Sequence, residues 1–372
     1  MEARRTRILI VDDSVVMRNL LRSVVCAEDG LEVAGTAADG ESALTSIETL
    51  HPDLVLMDVE MPVMDGLVTL RKLRARGHKM PVIMCSSLTQ RGASVTIEAL
   101  ACGASDYVAK PAGQSSREAA LQTLSQDLIP KIRALTGQLP AIFPGVPRTS
   151  LMAPVAPLPS ARQISSIPVV LAIGVSTGGP AALDVILPAL PAGFPLPVLI
   201  VQHMPELFTG LLAARLNERC PLQVQEAADG TPVRAGSIYI AKGNWHMAVL
   251  AASRAGSPAT LHLNQGPQEN HCRPAVDVLF RSVAAVYGEG ALAVVLTGMG
   301  SDGMTGCRII RDHGGTVLVQ DQATSAVWGM PGAVTHAGLA QRVLPLNAIA
   351  PEILRLACRT HSEARALRES VV

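Results

Sequence analysis

Ser176 lies at the centre of a Gly-Val-Ser-Thr-Gly string, which follows an apolar run and precedes a helical pattern that opens at Pro180. A serine in a tight turn between a strand and a helix can attack a substrate carbonyl, in the arrangement known as a nucleophile elbow. The flanking glycines let a substrate approach the backbone, and the free N–H groups of the helix face a developing oxyanion. Ordinary glycine-rich turns and phosphate-binding turns have the same string, so the string alone does not identify a catalytic serine. A catalytic role also needs a base and an acid elsewhere in the sequence.

A serine nucleophile needs a base, and the base needs an orienting acid. His203 directly follows an apolar run, and Asp302 lies in the glycine-rich turn after another such run. His246 also follows a predicted strand, and Asp302 could equally cap the helix predicted over 304–312. Ser176, His203 and Asp302 are therefore candidates for a catalytic trio, and position alone leaves the choice of base and the role of Asp302 open.

Three carboxylates follow predicted strands near the start of the chain: Asp12 and Asp13 after the first, and Asp58 after the third. The carboxyl ends of parallel strands open on one edge of a sheet, so these groups should converge there. Converging carboxylates repel one another unless a hard cation lies between them, and oxygen ligands suit Mg²⁺. Ser86 and Lys110, after the fourth and fifth strands, add a hydroxyl and an ammonium that suit a transferred phosphoryl group.

Two series of apolar runs and helical periods must position these residues, and a proline-rich stretch separates the series. The predicted strands are 8–11, 33–36, 54–57, 82–85 and 107–108 in the first series, and 169–173, 198–201, 237–241, 260–264, 291–296 and 316–320 in the second. This alternation predicts two α/β domains, each an open, doubly wound parallel sheet. The expected domains are 1–136 and 167–359, with a linker over 137–166 and a flexible tail over 360–372.

The composition excludes several classes of function. The chain holds 31 basic and 31 acidic residues and only 2% aromatic residues, which argues against nucleic acid as a partner. The seven cysteines are scattered and form no Cys-x-x-Cys pair, which indicates reduced thiols rather than a disulfide framework or a zinc site. No apolar run is long enough for a signal peptide or a membrane span, so we expect a cytoplasmic protein without membrane insertion.

Residues 7–115 resemble the receiver domain of two-component response regulators. The motifs that carry the resemblance are Ile-Val-Asp-Asp-Ser at 10–14, Leu-Met-Asp-Val-Glu-Met-Pro at 56–62, Met-Asp-Gly at 64–66, Cys-Ser-Ser at 85–87 and Ala-Lys-Pro at 109–111. The resemblance implies a flavodoxin-like domain with Asp58 as phosphoacceptor. It also implies Asp12, Asp13 and Asp58 as the Mg²⁺ ligands, Ser86 as the switch hydroxyl, and Lys110 as a contact of the phosphoryl group.

Residues 168–357 resemble the catalytic domain of the chemotaxis protein-glutamate methylesterases, the CheB family. The motifs are Ile-Gly-Val-Ser-Thr-Gly-Gly at 173–179, Val-Gln-His-Met-Pro at 201–205, Val-Asp-Val-Leu-Phe at 276–280, Leu-Thr-Gly-Met-Gly-Ser-Asp-Gly at 296–303 and Gln-Asp-Gln-Ala-Thr-Ser at 320–325. The resemblance implies a Rossmann-like domain with Ser176 as nucleophile, His203 as general base and acid, and Asp302 as the orienting acid. Thr177 and the Met299 backbone stand where the family places substrate or oxyanion contacts.

The two resemblances together imply a monomeric, phosphorylation-regulated enzyme of chemotaxis adaptation. It would hydrolyse glutamate methyl esters on methyl-accepting chemoreceptors and deamidate receptor glutamines, without a cofactor for hydrolysis. A chemotaxis histidine kinase would donate the phosphoryl group, and the unphosphorylated receiver would obstruct the Ser176 site. The chain departs from the family pattern at Lys242, where the family has proline, and around Cys272, where it has Gly-His-Arg-Pro-Ser. These departures leave receptor preference and loop geometry open.

Two other functions remain open from the sequence alone. An α/β-hydrolase acting on a small ester orders its triad as serine, acid and histidine, which Ser176, Asp302 and His336 would fit. Separate substitutions of His203 and His336 distinguish that alternative. A response regulator without enzymatic activity would use its second half only to bind a partner, and labelling of Ser176 by a serine-reactive fluorophosphonate would argue against it.

Overall fold

The chain folds into two α/β units, Met1–Val146 and Pro147–Val372. The computed structural model describes residues 4–87, 89–111, 116–137, 167–252, 254 and 256–358. The predicted linker, apart from Gly137, and the predicted tail lie outside the described residues, so the domain bounds given above stay a prediction. No helix in the described parts of the chain combines the length and the apolar character that crossing a membrane requires.

The first unit alternates strands with helices along the whole of its described length. Its elements are β1 (Thr6–Val11), α1 (Val15–Cys26), β2 (Leu31–Ala37), α2 (Gly40–Leu50), β3 (Leu54–Asp58), α3 (Gly66–Ala75), β4 (Val82–Ser86), α4 (Gln90–Ala101), β5 (Asp106–Ala109) and α5 (Arg117–Leu135). The strands form one parallel sheet in the order β2-β1-β3-β4-β5. This is the flavodoxin-like order, as predicted, and its order reverses between β1 and β3.

Local sequence sets the helix starts in this unit. A side-chain oxygen accepts a hydrogen bond from the third backbone N–H of each helix, and the caps are Ser14, Asp39, Asp65, Thr89 and Ser116. Such caps satisfy N–H groups that have no partner within the helix. The central strands β1, β3 and β4 are buried almost throughout, because helices cover both faces of the sheet.

The second unit is built around a larger parallel sheet. Its elements are β6 (Val170–Val175), α6 (Gly179–Ile186), β7 (Val198–Gln202), α7 (Glu206–Arg219), β8 (Gln223–Glu226), β9 (Ser237–Ile240), β10 (His246–Leu250), β11 (Thr260–Asn264), α8 (Val276–Tyr287), β12 (Ala291–Val295), α9 (Met304–Asp312), β13 (Thr316–Gln320), α10 (Met330–His336), β14 (Arg342–Leu344) and α11 (Leu346–Ala357). The sheet order is β14-β13-β12-β6-β7-β9-β8. The order reverses between β6 and β12, and open α/β sheets bind their ligands at such a switch point.

Three strands of the second unit were not predicted: β8 and β14 at the sheet edges, and β10. Strand β10 pairs with β11 as an antiparallel hairpin beside the parallel sheet. His246 comes after β9 in the chain, as predicted, and itself begins β10, which was not predicted. The edge strands are short and partly exposed, so their sequences lack the long apolar runs that reveal central strands.

Candidate functional site

Ser176 follows the end of β6 and occupies the turn that leads into α6. Its N–H donates to the Thr297 carbonyl (3.0 Å), and its own carbonyl accepts from the N–H of Gly179 (2.8 Å). Gly178 has a left-handed backbone with φ of 77° and forms the N-cap of α6, without a side-chain cap. The turn therefore needs glycine at this position. A strand, a tight turn and a helix thus surround a partly exposed serine.

His203 follows β7, the strand that pairs with β6. Val175 and Gln202 lie opposite each other at the ends of these two strands. Ser176 and His203 are the next residues, so they leave the sheet side by side. The His203 backbone N–H also donates to the Val175 carbonyl (3.1 Å). In the described part of the chain, no hydrogen bond joins the Ser176 hydroxyl to the His203 ring. The structure therefore places Ser176 and His203 as neighbours, but the His203 ring bonds elsewhere.

The His203 ring bonds to Asp302. Nε2 of the imidazole lies 2.8 Å from Oδ2 of the carboxylate, and Asp302 is only 2% exposed. An ionised carboxylate only accepts hydrogen bonds, so Nε2 carries the proton of this pair. In the neutral ring the other nitrogen, Nδ1, then has a lone pair that can accept a proton.

Asp302 also binds the start of α8, a role that differs from the predicted capping of α9. Its Oδ2 accepts from the Val276 N–H (2.7 Å), and its Oδ1 accepts from the Asp277 N–H (3.0 Å). The Gly303 N–H (3.0 Å) and the Asn270 side-chain amide (2.8 Å) also donate to Oδ1. The N-cap of α9 is Gly303, which has no capping side chain. The alternative role of Asp302 as the cap of α9 is therefore wrong.

The hydrogen bonds around Asp302 shift both pKa values of the pair. Burial alone would raise the pKa of Asp302, but the bonds from His203, Val276 and Asp277 outweigh burial and hold that pKa below its ordinary value. Burial alone would lower the pKa of His203, but the Asp302 bond and the nearby Cys272 thiol outweigh it and raise that pKa. The arrangement therefore stabilises the imidazolium that forms when His203 takes a proton.

Thr177 and Met299 flank the Ser176 turn. Thr177 is buried, and its carbonyl accepts from the Thr297 hydroxyl (2.9 Å). Met299 is partly exposed and follows Gly298, where a Cβ atom, if one were present, would come within 2.8 Å of the Ser176 Cβ. The turn after β12 therefore packs directly on the nucleophile, and this close approach requires glycine at position 298.

The other histidines that the sequence raised do not join this pair. His246 is buried, with Nε2 bonded to the Pro267 carbonyl (2.9 Å) and Nδ1 facing the Ala275 N–H (3.3 Å). His336 is exposed and lies edge-on to the Trp328 ring, with 5.3 Å between the ring centroids. Asp302 pairs with His203, which argues against the alternative trio containing His336.

Sequence reasoning missed two residues of this site. Gln202 is 2% exposed, and its side-chain amide donates to the carbonyls of Ser176 (3.0 Å) and His203 (3.2 Å). A polar residue at the end of an otherwise apolar strand was the available signal. The sequence marks Cys272 only as a departure from the family pattern, yet its thiol lies beside His203 and Asp302. All seven cysteines are free thiols, as predicted.

The first unit brings its predicted residues together at the ends of β1, β3 and β5. Lys110 Nζ lies 2.7 Å from Oδ2 of Asp12 and 2.7 Å from Oδ2 of Asp58. Asp13 is exposed and completes a cluster in which the carboxylate oxygens of the three acids lie within 4.8 Å of one another. Ser86 is fully buried, and its hydroxyl accepts from the Thr96 hydroxyl (2.7 Å).

The chemistry of this acidic cluster fits a hard divalent cation. Burial raises the pKa of Asp58 to about 6, Asp12 adds to the shift, and Lys110 partly offsets it. Although Lys110 is close, no described donor makes a well-directed hydrogen bond to Oδ2 of Asp12, which is buried. A ligand set of carboxylate oxygens, one of them buried without a well-directed hydrogen bond, suits Mg²⁺.

Comparisons with known proteins agree with both resemblances. The profile of the CheB methylesterase family matches residues 171–353, and that of the response regulator receiver domain matches residues 8–122. A protein-glutamate methylesterase/protein-glutamine glutaminase of Trichodesmium erythraeum is 47% identical over 350 residues, covering 94% of this chain and 98% of that protein. A protein of the same name from Nocardioides sp. is 49% identical over 360 residues, covering 95% and 96%.

A solved structure, the CheB methylesterase catalytic domain of Thermotoga maritima, is 41% identical and covers 51% of this chain and 100% of that chain, with a TM-score of 0.49. The family predicted from the motifs is confirmed by the profiles and by the full-length relatives. The chain belongs to the CheB methylesterase family and carries a response regulator receiver domain ahead of its methylesterase domain.

Proposed function

We propose that this chain is a phosphorylation-regulated serine hydrolase of chemotaxis adaptation. It demethylates glutamate methyl esters on methyl-accepting chemoreceptors and deamidates receptor glutamines, the two activities in the names of its full-length relatives. The observation that carries the proposal is the placement of Ser176, His203 and Asp302 after β6, β7 and β12, on both sides of the switch point.

The hydrolysis follows from the hydrogen bonds of His203. Because Asp302 fixes the proton on Nε2, Nδ1 accepts the proton of the Ser176 hydroxyl as the oxygen attacks the ester carbonyl. The tetrahedral intermediate collapses when His203 returns the proton to the leaving methoxide, and methanol departs. A water molecule then repeats the sequence on the acyl-enzyme and releases the glutamate. A glutamine substrate follows the same route with ammonia as the leaving group.

Backbone N–H groups are the proposed stabilisers of the oxyanion. The residue after the nucleophile commonly supplies one such donor in serine hydrolases, and here it is Thr177. The Met299 N–H is the proposed second donor, since its turn packs on Ser176 through Gly298. Gln202 supports this arrangement because its side-chain amide donates hydrogen bonds to the backbone carbonyls of both Ser176 and His203.

The receiver is the proposed regulator of this site. Asp58 accepts the phosphoryl group from a chemotaxis histidine kinase, while Asp12, Asp13 and Asp58 would hold Mg²⁺, which neutralises charge on the phosphoryl oxygens when bound. Lys110, which now pairs with Asp58, would contact the phosphoryl group, and Ser86 would supply the switch hydroxyl. We further propose a cytoplasmic monomer in which the unphosphorylated receiver (1–136) inhibits the methylesterase domain (167–359).

Methanol release from methylated chemoreceptors tests the chemistry. Ser176→Ala should lower the rate by several orders of magnitude, as removal of a triad nucleophile does. Ser237→Ala, at the start of β9, is the matched control and should keep the rate. His203→Gln should abolish activity and His336→Gln should retain it. Near-normal activity of Ser176→Ala would refute the assignment.

A small phosphodonor with Mg²⁺ tests the regulation in the same assay. It should accelerate methanol release by the wild-type chain. Asp58→Asn should lose this stimulation while keeping the basal rate, because the substitution removes the acceptor and leaves the hydrolase intact. Stimulation that persists in Asp58→Asn would place the phosphoryl acceptor elsewhere.

A further inference from the structure

The Cys272 thiol completes a mixed set of metal-binding groups at the hydrolase site. The ligand atoms of His203, Cys272 and Asp302 all lie within 4.8 Å of one another. Imidazole, thiolate and carboxylate are the three donor types that Zn²⁺ binds in proteins. Bond lengths of about 2.0–2.3 Å place neighbouring ligand atoms of a tetrahedral zinc site roughly 3.2–3.7 Å apart, so shifts of about 1 Å would close the set.

A tight turn holds Cys272 against the pair. The backbones of Glu269 and Cys272 exchange two hydrogen bonds of 3.1 and 2.8 Å, with both intervening residues in the left-handed region. The first of these, Asn270, donates its side-chain amide to Asp302 (2.8 Å), and Glu269 forms a double hydrogen bond with Arg281 (2.7 and 2.6 Å). The thiol is therefore placed by contacts that include the catalytic acid itself.

The remaining bonds of Asp302 leave one oxygen ready for a cation. Its Oδ1 accepts from three donors, whereas Oδ2 bonds, among the described residues, to the Val276 N–H and to His203. Such outer bonds orient a carboxylate ligand and are typical of functional metal sites. The His203 side chain is 12% exposed and Cys272 is partly exposed, so an ion and a water molecule can reach the cluster from solvent.

We propose that His203, Cys272 and Asp302 form an inhibitory zinc site. Zn²⁺ replaces the hydrogen bond between His203 and Asp302 with a bridge through the metal, Cys272 binds as thiolate, and water takes the fourth position. The thiol proton is released to solvent on binding, and the ring proton of His203 moves from Nε2 to Nδ1 as Nε2 binds the metal. The metal-bound imidazole no longer serves Ser176, so hydrolysis stops until the metal leaves. This consequence rests on the proposed function, whereas metal binding does not.

The two clusters of the chain differ in the ions that they select. The receiver cluster offers only carboxylate oxygens, which suit Mg²⁺, whereas the hydrolase cluster adds a thiolate and an imidazole, which suit Zn²⁺. Isolated cysteines gave no sequence sign of a zinc site, because this one forms only when the turn before α8 meets the ends of β7 and β12. Millimolar Mg²⁺ should therefore leave the hydrolase cluster free for Zn²⁺.

Cobalt substitution tests the site directly. The full chain, freed of metal and kept in excess Mg²⁺, is titrated with Co²⁺, whose bond to a thiolate gives a charge-transfer band in the near ultraviolet. One equivalent should produce the band, and Zn²⁺ should displace it. The band should disappear in Cys272→Ser and Cys272→Ala and persist in Cys358→Ser, which removes an exposed thiol of the same unit. Absence of the band in the wild type, or its persistence in Cys272→Ala, would overturn the site.

Inhibition is measured on the same proteins as methanol release with increasing Zn²⁺, relative to the metal-free rate of each variant. Zn²⁺ should inhibit the wild type and Cys358→Ser equally, and a zinc-selective chelator should restore both. The Cys272 variants should require at least about tenfold more Zn²⁺ for the same inhibition, because loss of a group that only orients a metal ligand already costs about that much affinity. Equal sensitivity of all variants would refute the inhibitory role. If the metal-free wild type shows no esterase activity, the proposed function fails, while the cobalt band still decides the site.

Discussion

Replacement of Asp302 by asparagine separates its two roles, the bond to His203 and the capping of α8. Asparagine has nearly the same shape as aspartate but one hydrogen-bond acceptor oxygen fewer. Two N–H donors point at Oδ2 of the carboxylate and three point at Oδ1. Asparagine has one acceptor oxygen and one NH₂ group. The least unfavourable orientation keeps the oxygen on the side with three donors, so the NH₂ group faces His203 and the N–H of Val276.

His203 can relieve this conflict only by changing its tautomer. Nε2 becomes the acceptor and the ring proton moves to Nδ1, which is the nitrogen that must receive the proton of Ser176. In a serine protease the equivalent substitution lowers kcat by about 10⁴-fold, which corresponds to about 5 kcal/mol of transition-state stabilisation. The Val276 N–H is also left without an acceptor, which should lower the free energy of unfolding by about 1–3 kcal/mol.

Methanol-release kinetics and urea unfolding of Asp302→Asn measure both effects. Asp277→Asn is the matched control, since Asp277 is also a buried carboxylate that bonds Asn270 (3.0 Å) and the N–H of Gly306 (2.6 Å) but does not bond His203. The control should keep kcat within a few-fold. If Asp302→Asn also kept kcat within about tenfold, the acid would serve only as the cap of α8, and the catalytic reasoning would be refuted.

Three further outcomes are expected. Without Mg²⁺, the pKa of Asp58 is raised by burial to about 6 from 3.8, so the folded state binds the extra proton and the free energy of unfolding falls as pH rises between these values. Asp58→Asn should remove this slope in urea unfolding and stabilise the receiver by up to about 3 kcal/mol near pH 7; an unchanged slope would contradict the assignment. Gly298→Ala should lower kcat for methanol release by about 100-fold, because the new methyl group would clash with the Met330 sulfur and come within 2.8 Å of the Ser176 Cβ, which crowds Ser176; an unchanged kcat would show that the turn yields. A fragment beginning near Ile164 should release methanol faster than the unphosphorylated whole chain; an equal rate would mean that the receiver recruits or activates instead.

The positions of Ser176, His203 and Asp302 at one edge of the sheet could be predicted because they depend on central strands. The apolar runs of β6, β7 and β12 are long and buried, so their ends are visible in the sequence. Parallel pairing then brings those ends to one edge, with Val175 opposite Gln202 and Gly174 opposite Val295. Residue types at strand ends nominated Ser176, His203 and Asp302 as candidates, and the family resemblance selected them over the alternatives.

Contacts that depend on loop conformation could not be predicted. Asp302 accepts hydrogen bonds from the first N–H groups of α8, which lie about 25 positions earlier in the chain. Only the tertiary fold shows that the carboxylate binds this helix start and does not cap α9, the next helix in the sequence. The approach of Cys272 depends on left-handed backbones at Asn270 and His271, neither of them glycine. No local pattern distinguishes these conformations from ordinary loop geometry.

The single positive charge of Lys110 facing three carboxylates has a consequence for encounter rates. With Asp12, Asp13 and Asp58 ionised, the pocket keeps a negative excess at its mouth, where Asp13 is exposed. A small anion diffusing toward Asp58, such as a phosphodonor, is therefore repelled before it reaches this carboxylate. A divalent cation cancels the excess of two negative charges that three carboxylates and one ammonium leave, so it removes this repulsion before any bond changes. Without the cation, the same negative field repels anions from Asp58, whose carboxylate is paired with Lys110.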